Sequence, residues 1–192
     1  MNIHVLIMAA GGSLRLGQPK QLLSYKGGSL LGHTVKECLS ANIGEVIICL
    51  GAHAEKINAE LNLDTFQVLV HHGWERGLGS SIAYTLAHID SAFLDGIIIV
   101  LADQPYFSAK ILEGIVETAK SQKLIICSSK YAEGQGPPVY FHKSLFSELL
   151  KCEGDEGAKA LVKKYKELVQ YISFPKGNID IDTKDDLKFL ER

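Results

Sequence analysis

The feature that most constrains this chain is the alternation of short apolar segments with longer amphipathic ones. Two of the apolar segments, "VLIMAA" at 5–10 and "GIIIVLA" at 96–102, are hydrophobic at consecutive positions, which is typical of strands covered on both faces. Parallel strands are joined by crossover segments, usually helices, and these crossovers are right-handed. The pattern therefore predicts an α/β fold of three layers, in which helices cover both faces of a mainly parallel, Rossmann-like sheet.

Apolar runs and helical periodicity predict the individual elements of this fold. Strands are expected at residues 3–9, 45–51, 66–70, 96–102, 124–127, 139–141 and 168–173, and helices at residues 29–39, 54–61, 80–89 and 108–119. A charged helix is expected around residues 156–166, and the final "NIDIDTKDDLKFLER" predicts a short strand, a Thr or Asp cap and a closing helix. No repeat or long linker divides the sequence, so residues 1–192 are predicted to form a single domain.

Composition and charge exclude several classes of partner. The formal net charge is −2 and the sequence has no stripe of Lys and Arg, which argues against nucleic-acid binding. The most apolar run is far shorter than the ~20 residues that span a bilayer, and the N-terminus has no features of a secretion signal. The four cysteines are scattered without a CxxC pair, as expected in a reducing compartment. We therefore predict a cytoplasmic protein without nucleic-acid or membrane partners.

Paired glycines and two cations follow the first predicted strand, in "AAGGSLRLGQPK". Gly11 and Gly12 allow the backbone to approach a ligand closely, and successive N–H groups in such a turn form an anion-binding concavity. Arg15 can donate two hydrogen bonds to phosphate oxygens, and Lys20 adds a compact charge. A Walker A loop is excluded because Gln18 stands where that motif requires Lys. The loop predicts a phosphate site; a glycine-rich turn with two solvated cations is the alternative.

Acidic residues follow two later predicted strands. "VLADQP" delivers Asp103 to the end of a strand, and in "DIDT" the alternation of a strand directs Asp180 and Asp182 to one face. Ligands collect at the carboxyl ends of strands in an open α/β sheet, and carboxylates with substrate phosphates are ligands that Mg²⁺ prefers. Asp103 and Asp182 are alternatively caps of the helices that follow them, but a cap leaves Asp180 unexplained.

The segment "GLGSSIAYTL" at 77–86 resembles GxGxxA, part of a dinucleotide-binding fingerprint, with Ala83 one residue beyond the last position of that motif. That fingerprint occupies the first strand–helix turn and has an acidic residue at the end of the next strand. Here the segment is in the middle of the chain, and Asp95 begins the next strand, so an NAD site is disfavoured. Gly79, Ser80 and Ser81 at the helix N-terminus are instead predicted to meet the base or ribose of a nucleotide through backbone groups and hydroxyls.

These motifs together resemble a known family. "MAAGGSLRLGQPKQLL" is similar to the nucleotide signature of MobA-like nucleotidyltransferases. In order along the chain, "GLGSSI", "LADQP", "GQGPPVYF", "GDEGAK" and "DIDTKDDL" resemble the landmarks of the molybdenum cofactor cytidylyltransferase branch. The resemblance spans almost the whole chain. It implies an enzyme that uses Mg²⁺ to transfer a nucleotidyl group, with CTP the favoured donor, to molybdopterin, with release of pyrophosphate.

The resemblance also implies roles for individual residues. The nucleotide would be bound by Ala9, Ala10, Gly11, Gly12, Ser13, Gly79, Ser80 and Ala102. Arg15, Lys20 and Asp103 would be the catalytic residues, with Arg15 and Lys20 on the phosphates, and Asp103 and Asp182 would hold the metal, where we add Asp180. The acceptor would be met by Gly136, Pro137, Gly154, Asp155, Gly157 and Lys159. Lys159 stands where the family commonly has Arg, and a Lys ammonium does not form the bidentate contact of a guanidinium.

Two other functions remain open from the sequence. A nucleotidyltransferase with the same nucleotide half can act on a sugar phosphate or an alcohol phosphate. A nucleotide sensor or cofactor chaperone would bind the nucleotide without catalysis, although three acids at strand ends favour an enzyme. For the enzyme, the expected partners are a nucleoside triphosphate, a molybdopterin-type acceptor and, transiently, a molybdenum enzyme that receives the product.

Overall fold

The computed structural model describes residues 1–191. The strands are β1 (Ile3–Ala9), β2 (Ser24–Tyr25), β3 (Gly28–Ser29), β4 (Val46–Leu50), β5 (Gln67–Val70), β6 (Gly96–Leu101), β7 (Ile126–Lys130), β8 (Gln135–His142) and β9 (Val169–Ser173). The α-helices are α1 (Leu30–Ala41), α2 (Ala54–Leu61), α3 (Leu78–Ala87), α4 (Ala109–Gln122), α5 (Phe146–Leu149) and α6 (Lys159–Lys164). Short 3-10 turns connect several of them, among them Trp74–Arg76 and Lys184–Phe189.

Within residues 1–191, seven strands form one sheet in the order β5-β4-β1-β6-β8-β7-β9. β1 pairs in parallel with both β4 and β6, and β9 pairs in parallel with β7. β8 runs antiparallel to its neighbours β6 and β7. The small hairpin β2–β3 lies outside this sheet. The predicted mainly parallel α/β sheet is confirmed.

The two faces of the sheet bury two separate apolar cores. In β1, Val5 and Ile7 pack in one core with residues of α1, α2 and α4, whereas Leu6 and Met8 pack in the other with residues of α3, α5 and α6. Successive side chains of a strand point to opposite faces, so the consecutive apolar residues of β1 serve both layers. The hydrophobic run therefore fixes this strand in the interior of the sheet.

The chain reverses its direction across the sheet beside β1. After β1 it continues to β4 and then β5 on one side, and it returns to the other side of β1 to form β6. Such a reversal opens a crevice at the carboxyl ends of the two central strands, and ligands of open α/β sheets bind there. The glycine-rich loop after β1 and Asp103 after β6 are thereby placed at the same edge.

Most predicted elements are present, but β8 begins at Gln135 rather than at Val139, and neither the β2–β3 hairpin nor α5 was predicted. The clearest difference lies near the C-terminus. Residues 179–182 form no strand; they run extended, and the Ile181 amide donates to the Asp103 carbonyl at 3.0 Å. The predicted closing helix is the 3-10 segment Lys184–Phe189, and Thr183 caps it in a capping box with Asp186, as a Thr cap was expected to do. No helix in the described part of the chain has the length and hydropathy to cross a bilayer.

Candidate active site

A cleft of about 590 Å³ opens at the carboxyl ends of β1 and β6, a size within the range of small-molecule sites. Its lining comprises Met8, Ala9, Ala10, Gly11, Arg15, Lys20, Gln21, Trp74, Glu75, Gly77, Leu78, Ser81, Leu101, Ala102, Asp103, Asp155, Asp180 and Asp182. Residues that lie far apart in the sequence thus meet in one cavity, and most of the predicted nucleotide and metal residues are among them. A wider groove of about 790 Å³ between α2 and β5 has none of the predicted site residues in its lining.

The glycine-rich loop is held from inside by Gln21. This buried side chain donates from Nε2 to the Ala9 carbonyl at 2.7 Å and to the Gly11 carbonyl at 3.1 Å. Ser13 closes the far end of the loop, because its hydroxyl accepts a hydrogen bond from the Lys20 amide at 3.1 Å. The loop is therefore built around its own polar contacts, and Gln21 is a residue that motif analysis did not single out.

Lys20 forms the centre of the charged part of the cleft. Its ammonium lies 2.6 Å from Asp103 Oδ2 and 2.7 Å from Asp182 Oδ1. Lys20 and Asp103 each expose only 15% of their side chains, whereas Asp182 exposes 37%. Arg15 completes the group, since its guanidinium is 3.0 Å from Asp182 Oδ2 and is mostly exposed. One buried cation between two acids is a charge arrangement suited to binding an anion together with a metal ion.

The local charges shift the pKa values of two of these groups. Burial alone would lower the pKa of Lys20, but the charge of Asp103 and the hydrogen bonds to both carboxylates outweigh it and raise that pKa above its usual value. Asp180 lies at the mouth of the cleft, where desolvation by the walls and then the like charges of Asp103 and Asp182 raise the pKa of its carboxyl. Lys20 is thus held as a cation, and the charged form of the Asp180 carboxyl is less favoured than that of an ordinary Asp.

The oxygens of these acids that have no hydrogen-bond partner decide whether the site fits a divalent cation. In the part of the chain that the structure describes, no three His, Cys, Asp or Glu side chains are already arranged around a common point. However, Asp103 Oδ1 is buried without a hydrogen-bond partner, and the other oxygen of Asp103 shares a cation with Asp182. An orphaned carboxylate oxygen beside a second acid suits Mg²⁺ or Mn²⁺, which take one or two carboxylates and complete their coordination with phosphates and water.

The structure separates Gly79 and Ser80, two of the three residues predicted at the N-terminus of α3, from the cleft. Gly79 donates its amide to the Gly154 carbonyl at 2.8 Å, and the Ser80 hydroxyl donates to the Gly77 carbonyl at 2.8 Å. Neither residue lines the cleft; the next side chain, Ser81, does. A contact of Gly79 or Ser80 with the nucleotide therefore stays a prediction, and Ser81 is the better-placed hydroxyl.

The predicted acceptor residues border a second, smaller pocket. This pocket of about 130 Å³ includes Gly136, Pro137, Asp155 and Lys159 in its lining, together with aliphatic side chains such as Ile99. It shares Leu78, Leu101 and Asp155 with the cleft.

Gly154 and Gly157 line neither cavity and instead pack against the Gly77–Gly79 turn. The two cavities are neighbours, because Leu78, Leu101 and Asp155 form a wall common to both.

Gln104 and Tyr131 form a hydrogen-bond network that reaches residues near both cavities. Gln104 is buried, and its Nε2 donates to the Gly177 carbonyl at 2.6 Å and to the Tyr131 hydroxyl at 3.1 Å. Tyr131 in turn donates its hydroxyl hydrogen to the Pro137 carbonyl. The network thereby connects the loop of Asp103, the segment before Asp180 and Pro137 of β8, which lines the smaller pocket.

Known proteins resemble this chain over nearly its full length. Residues 5–169 match the family described as "MobA-like NTP transferase domain". The purine catabolism protein PucB of Bacillus subtilis is 32% identical over 82% of this chain and 79% of its own length. Nicotine blue oxidoreductase of Paenarthrobacter nicotinovorans is 29% identical over 95% of this chain and 93% of its own. A "probable molybdenum cofactor guanylyltransferase" of Pyrococcus horikoshii is 24% identical over 99% of this chain and 100% of its own.

Solved structures have the same architecture. Rv0371c from Mycobacterium tuberculosis superposes with a TM-score of 0.87 at 33% identity, covering 98% of this chain and 96% of that one. Its complex with manganese has a TM-score of 0.83 at 30% identity, covering 99% of this chain and 98% of that one. A divalent cation is therefore bound by a related protein of this fold.

Proposed function

The chain belongs to the MobA-like NTP transferase family, and on this premise we propose that it transfers a nucleotidyl group, with CTP the favoured donor, to a molybdopterin-type acceptor. The observation that carries this proposal is the cleft in which Lys20 bridges Asp103 and Asp182 beside the glycine-rich loop. The relative from Pyrococcus horikoshii supports a molybdenum cofactor acceptor. We propose further that residues 1–192 act as a single domain and that the protein works in the cytoplasm, consistent with the free thiols of its four cysteines.

The proposed chemistry is an in-line displacement at the α-phosphorus. A terminal phosphate oxygen of the acceptor forms a new bond to this phosphorus, the bond to the bridging oxygen of the β-phosphate breaks, and its electron pair leaves with pyrophosphate. A phosphate nucleophile is already anionic, so no side chain has to remove a proton. Catalysis then depends on positioning the two substrates and stabilising the charge.

The residues of the cleft are suited to these tasks. The glycine-rich loop would bind the triphosphate through its amides, while Lys20 would neutralise charge that develops on the leaving pyrophosphate. Arg15, which is mostly exposed, can turn from Asp182 to the phosphates. A bound Mg²⁺ would supply charge neutralisation and alignment of the phosphates, and we propose Asp103 and Asp182, with Asp180 beside them, as its ligands.

Nucleotidyl transfer is favoured over a redox reaction, although one relative is named an oxidoreductase. In a redox enzyme that uses a dinucleotide, the "GLGSSI" segment would have to present its glycines to the pyrophosphate of that cofactor. A Cβ built on Gly79 would lie 2.7 Å from backbone atoms of Glu153. Gly79 is thus covered by the protein, and the absence of a side chain allows it to pack closely against the Glu153 backbone.

The test is release of pyrophosphate with CTP, GTP or ATP, each combined with molybdopterin, with a sugar phosphate or with no acceptor. Pyrophosphate release is expected only when CTP and molybdopterin are both present. Release only with a sugar phosphate would replace the acceptor, and binding of nucleotide without release under any condition would indicate a non-catalytic protein. Asp103→Asn is expected to lose this release. Asp64→Asn is the matched control for loss of a carboxylate, because Asp64 is exposed and does not line the cleft.

A further inference from the structure

Trp74, the only tryptophan of the sequence, spans two glycines that belong to different segments. A Cβ built on Gly51, just after β4, would lie 2.7 Å from the Cβ and 2.8 Å from the Cγ of Trp74. A Cβ built on Gly12 would lie 2.7 Å from Cη2 and 3.1 Å from Cζ3, at the outer edge of the indole. The side chain thus extends from the end of β4 to the glycine-rich loop, and both glycines leave room for it.

The indole and Gln21 hold the glycine-rich loop in different ways. Gln21 binds the carbonyls of Ala9 and Gly11 with hydrogen bonds, whereas Trp74 limits the position of Gly12 by direct contact. The neighbouring Gly11 is not enclosed in this way, because a Cβ built there would meet nothing within 4 Å. The steric requirement for glycine therefore applies to the one residue of the pair that touches Trp74.

Trp74 also lines the cleft. It is half-buried, so part of its surface is available to a ligand. A rigid aromatic side chain loses little entropy on ordering, and it offers a large contact area to a nucleoside. The residue that fixes the loop therefore also forms part of the wall that a bound nucleotide would meet.

We propose that Trp74 is a positioning residue for the nucleoside triphosphate: its indole sets the position of Gly12, and thereby the loop amides that bind the phosphates. This proposal rests on the proposed function of the cleft. The physical reason is that packed side chains transmit displacements, since protein interiors contain few voids that could absorb them. A methyl group at residue 12 must push the loop or the indole by several tenths of an ångström.

The size of the expected effect follows from the displacement. Misplacement of a bound reactant by about 1 Å can cost about 100-fold in rate. Gly12→Ala is therefore expected to reduce kcat/KM for the nucleotide by about 10- to 100-fold. Trp74→Phe alone is expected to weaken nucleotide binding about 10-fold, because a phenyl ring lacks the outer carbons that touch Gly12 and leaves the loop free to shift.

The decisive experiment is allele-specific rescue. Trp74→Phe removes the atoms with which a Cβ on residue 12 would collide, so Gly12→Ala/Trp74→Phe is expected to bind nucleotide at least as well as Trp74→Phe alone. Gly51→Ala is the matched control. Its Cβ would meet the Cβ and Cγ of Trp74, which phenylalanine retains, and the Ala10 carbonyl oxygen at 2.7 Å. Rescue of residue 12 but not of residue 51 supports the proposal, whereas rescue of both or of neither overturns it.

Two further measurements separate this proposal from the proposed function. Binding of CTP and GTP with Mg²⁺ is measured by calorimetry, and the fluorescence of the single tryptophan is followed in the same titration. A fluorescence change that saturates with the calorimetric binding curve is expected. Binding without a fluorescence change and without rescue would overturn the role of Trp74 and leave the nucleotide site intact. If no nucleotide binds, the proposed function fails with it. Thermal melting of each variant identifies those that do not fold.

Discussion

In the absence of nucleotide, Lys20 and a divalent cation are expected to compete for the same two carboxylates. The ammonium of Lys20 lies within 2.7 Å of oxygens of Asp103 and Asp182, so its positive charge opposes a metal ion that is bound by the same acids. Lys20→Met keeps most of the length of the side chain and removes the charge. The variant is expected to lose nucleotidyl transfer by about 100- to 1,000-fold but to bind Mn²⁺ more tightly than the wild type.

The magnitude follows from the burial of the pair. Removing one partner of a buried ion pair costs about 3 kcal/mol, which applies to Asp103 because only 15% of its side chain is exposed. Asp182 is 37% exposed, and solvent screens its contribution. In the wild type the charge of Lys20 opposes the metal ion through the same carboxylates, so removing this charge is expected to tighten the Kd for Mn²⁺ by up to about 100-fold. Without metal, the Tm of the variant is expected to fall by about 6–12 °C.

The assay is calorimetric titration of nucleotide-free protein with Mn²⁺, combined with thermal melting. Saturation at 100 times Kd adds about 2.7 kcal/mol of stability, so Mn²⁺ is expected to restore most of the lost Tm in the variant. Lys163→Met is the control, because Lys163 is exposed on α6 and remote from the cleft. An Mn²⁺ affinity that is unchanged or weaker in Lys20→Met would refute the competition and would remove the shared carboxylates from the metal site.

Three other substitutions, with Gly114→Ala as a control, test the remaining parts of the site. Asp103→Asn is expected to abolish transfer and to weaken Mn²⁺ binding with an unchanged circular dichroism spectrum; Mn²⁺-dependent turnover at the wild-type rate would contradict this. Tyr131→Phe leaves the Pro137 carbonyl without its donor, so we expect a loss of about 1–3 kcal/mol in the free energy of unfolding and a higher KM for the acceptor but not for the nucleotide. Gly79→Ala places a methyl group against the Glu153 backbone and is expected to lower the free energy of unfolding by about 1–3 kcal/mol. In the control Gly114→Ala, the new methyl group meets nothing within 4 Å in α4, and the free energy of unfolding is expected to rise by up to about 1 kcal/mol. Equal denaturant midpoints for these two variants would show that the contact at residue 79 is unimportant.

The sequence was most informative where burial alone determines the structure. The consecutive apolar residues of β1 and β6 cannot be accommodated outside a doubly covered sheet, so both strands were predictable within one residue of their ends. Residues 179–182 show the opposite case. Their alternation predicted a strand, but the Ile181 amide pairs with the Asp103 carbonyl and the segment joins no strand. Which partner an extended segment finds depends on the tertiary fold.

The site shows the same division. Asp103 and the glycine-rich loop could be located, because both lie directly after buried strands. The roles of Ser80 and Ser81 could not be distinguished, because neighbouring helical residues point in different directions and α3 begins at Leu78, two residues before the predicted start. Trp74 was missed for another reason: its contact with Gly12 joins two distant segments, and only the unusual presence of a lone tryptophan in a glycine-rich turn hints at it.

The turns at 77–79 and 153–157 interlock through their main chains: the Gly79 amide donates to the Gly154 carbonyl, the Gly154 amide donates to the Arg76 carbonyl, and no side chain intervenes. Replacing residues 153–157 with those of a homologue, for example to change the acceptor, would therefore disturb the start of α3. A chimera is expected to keep the conformation of both turns only when the two are exchanged together, so the two segments behave as one structural unit.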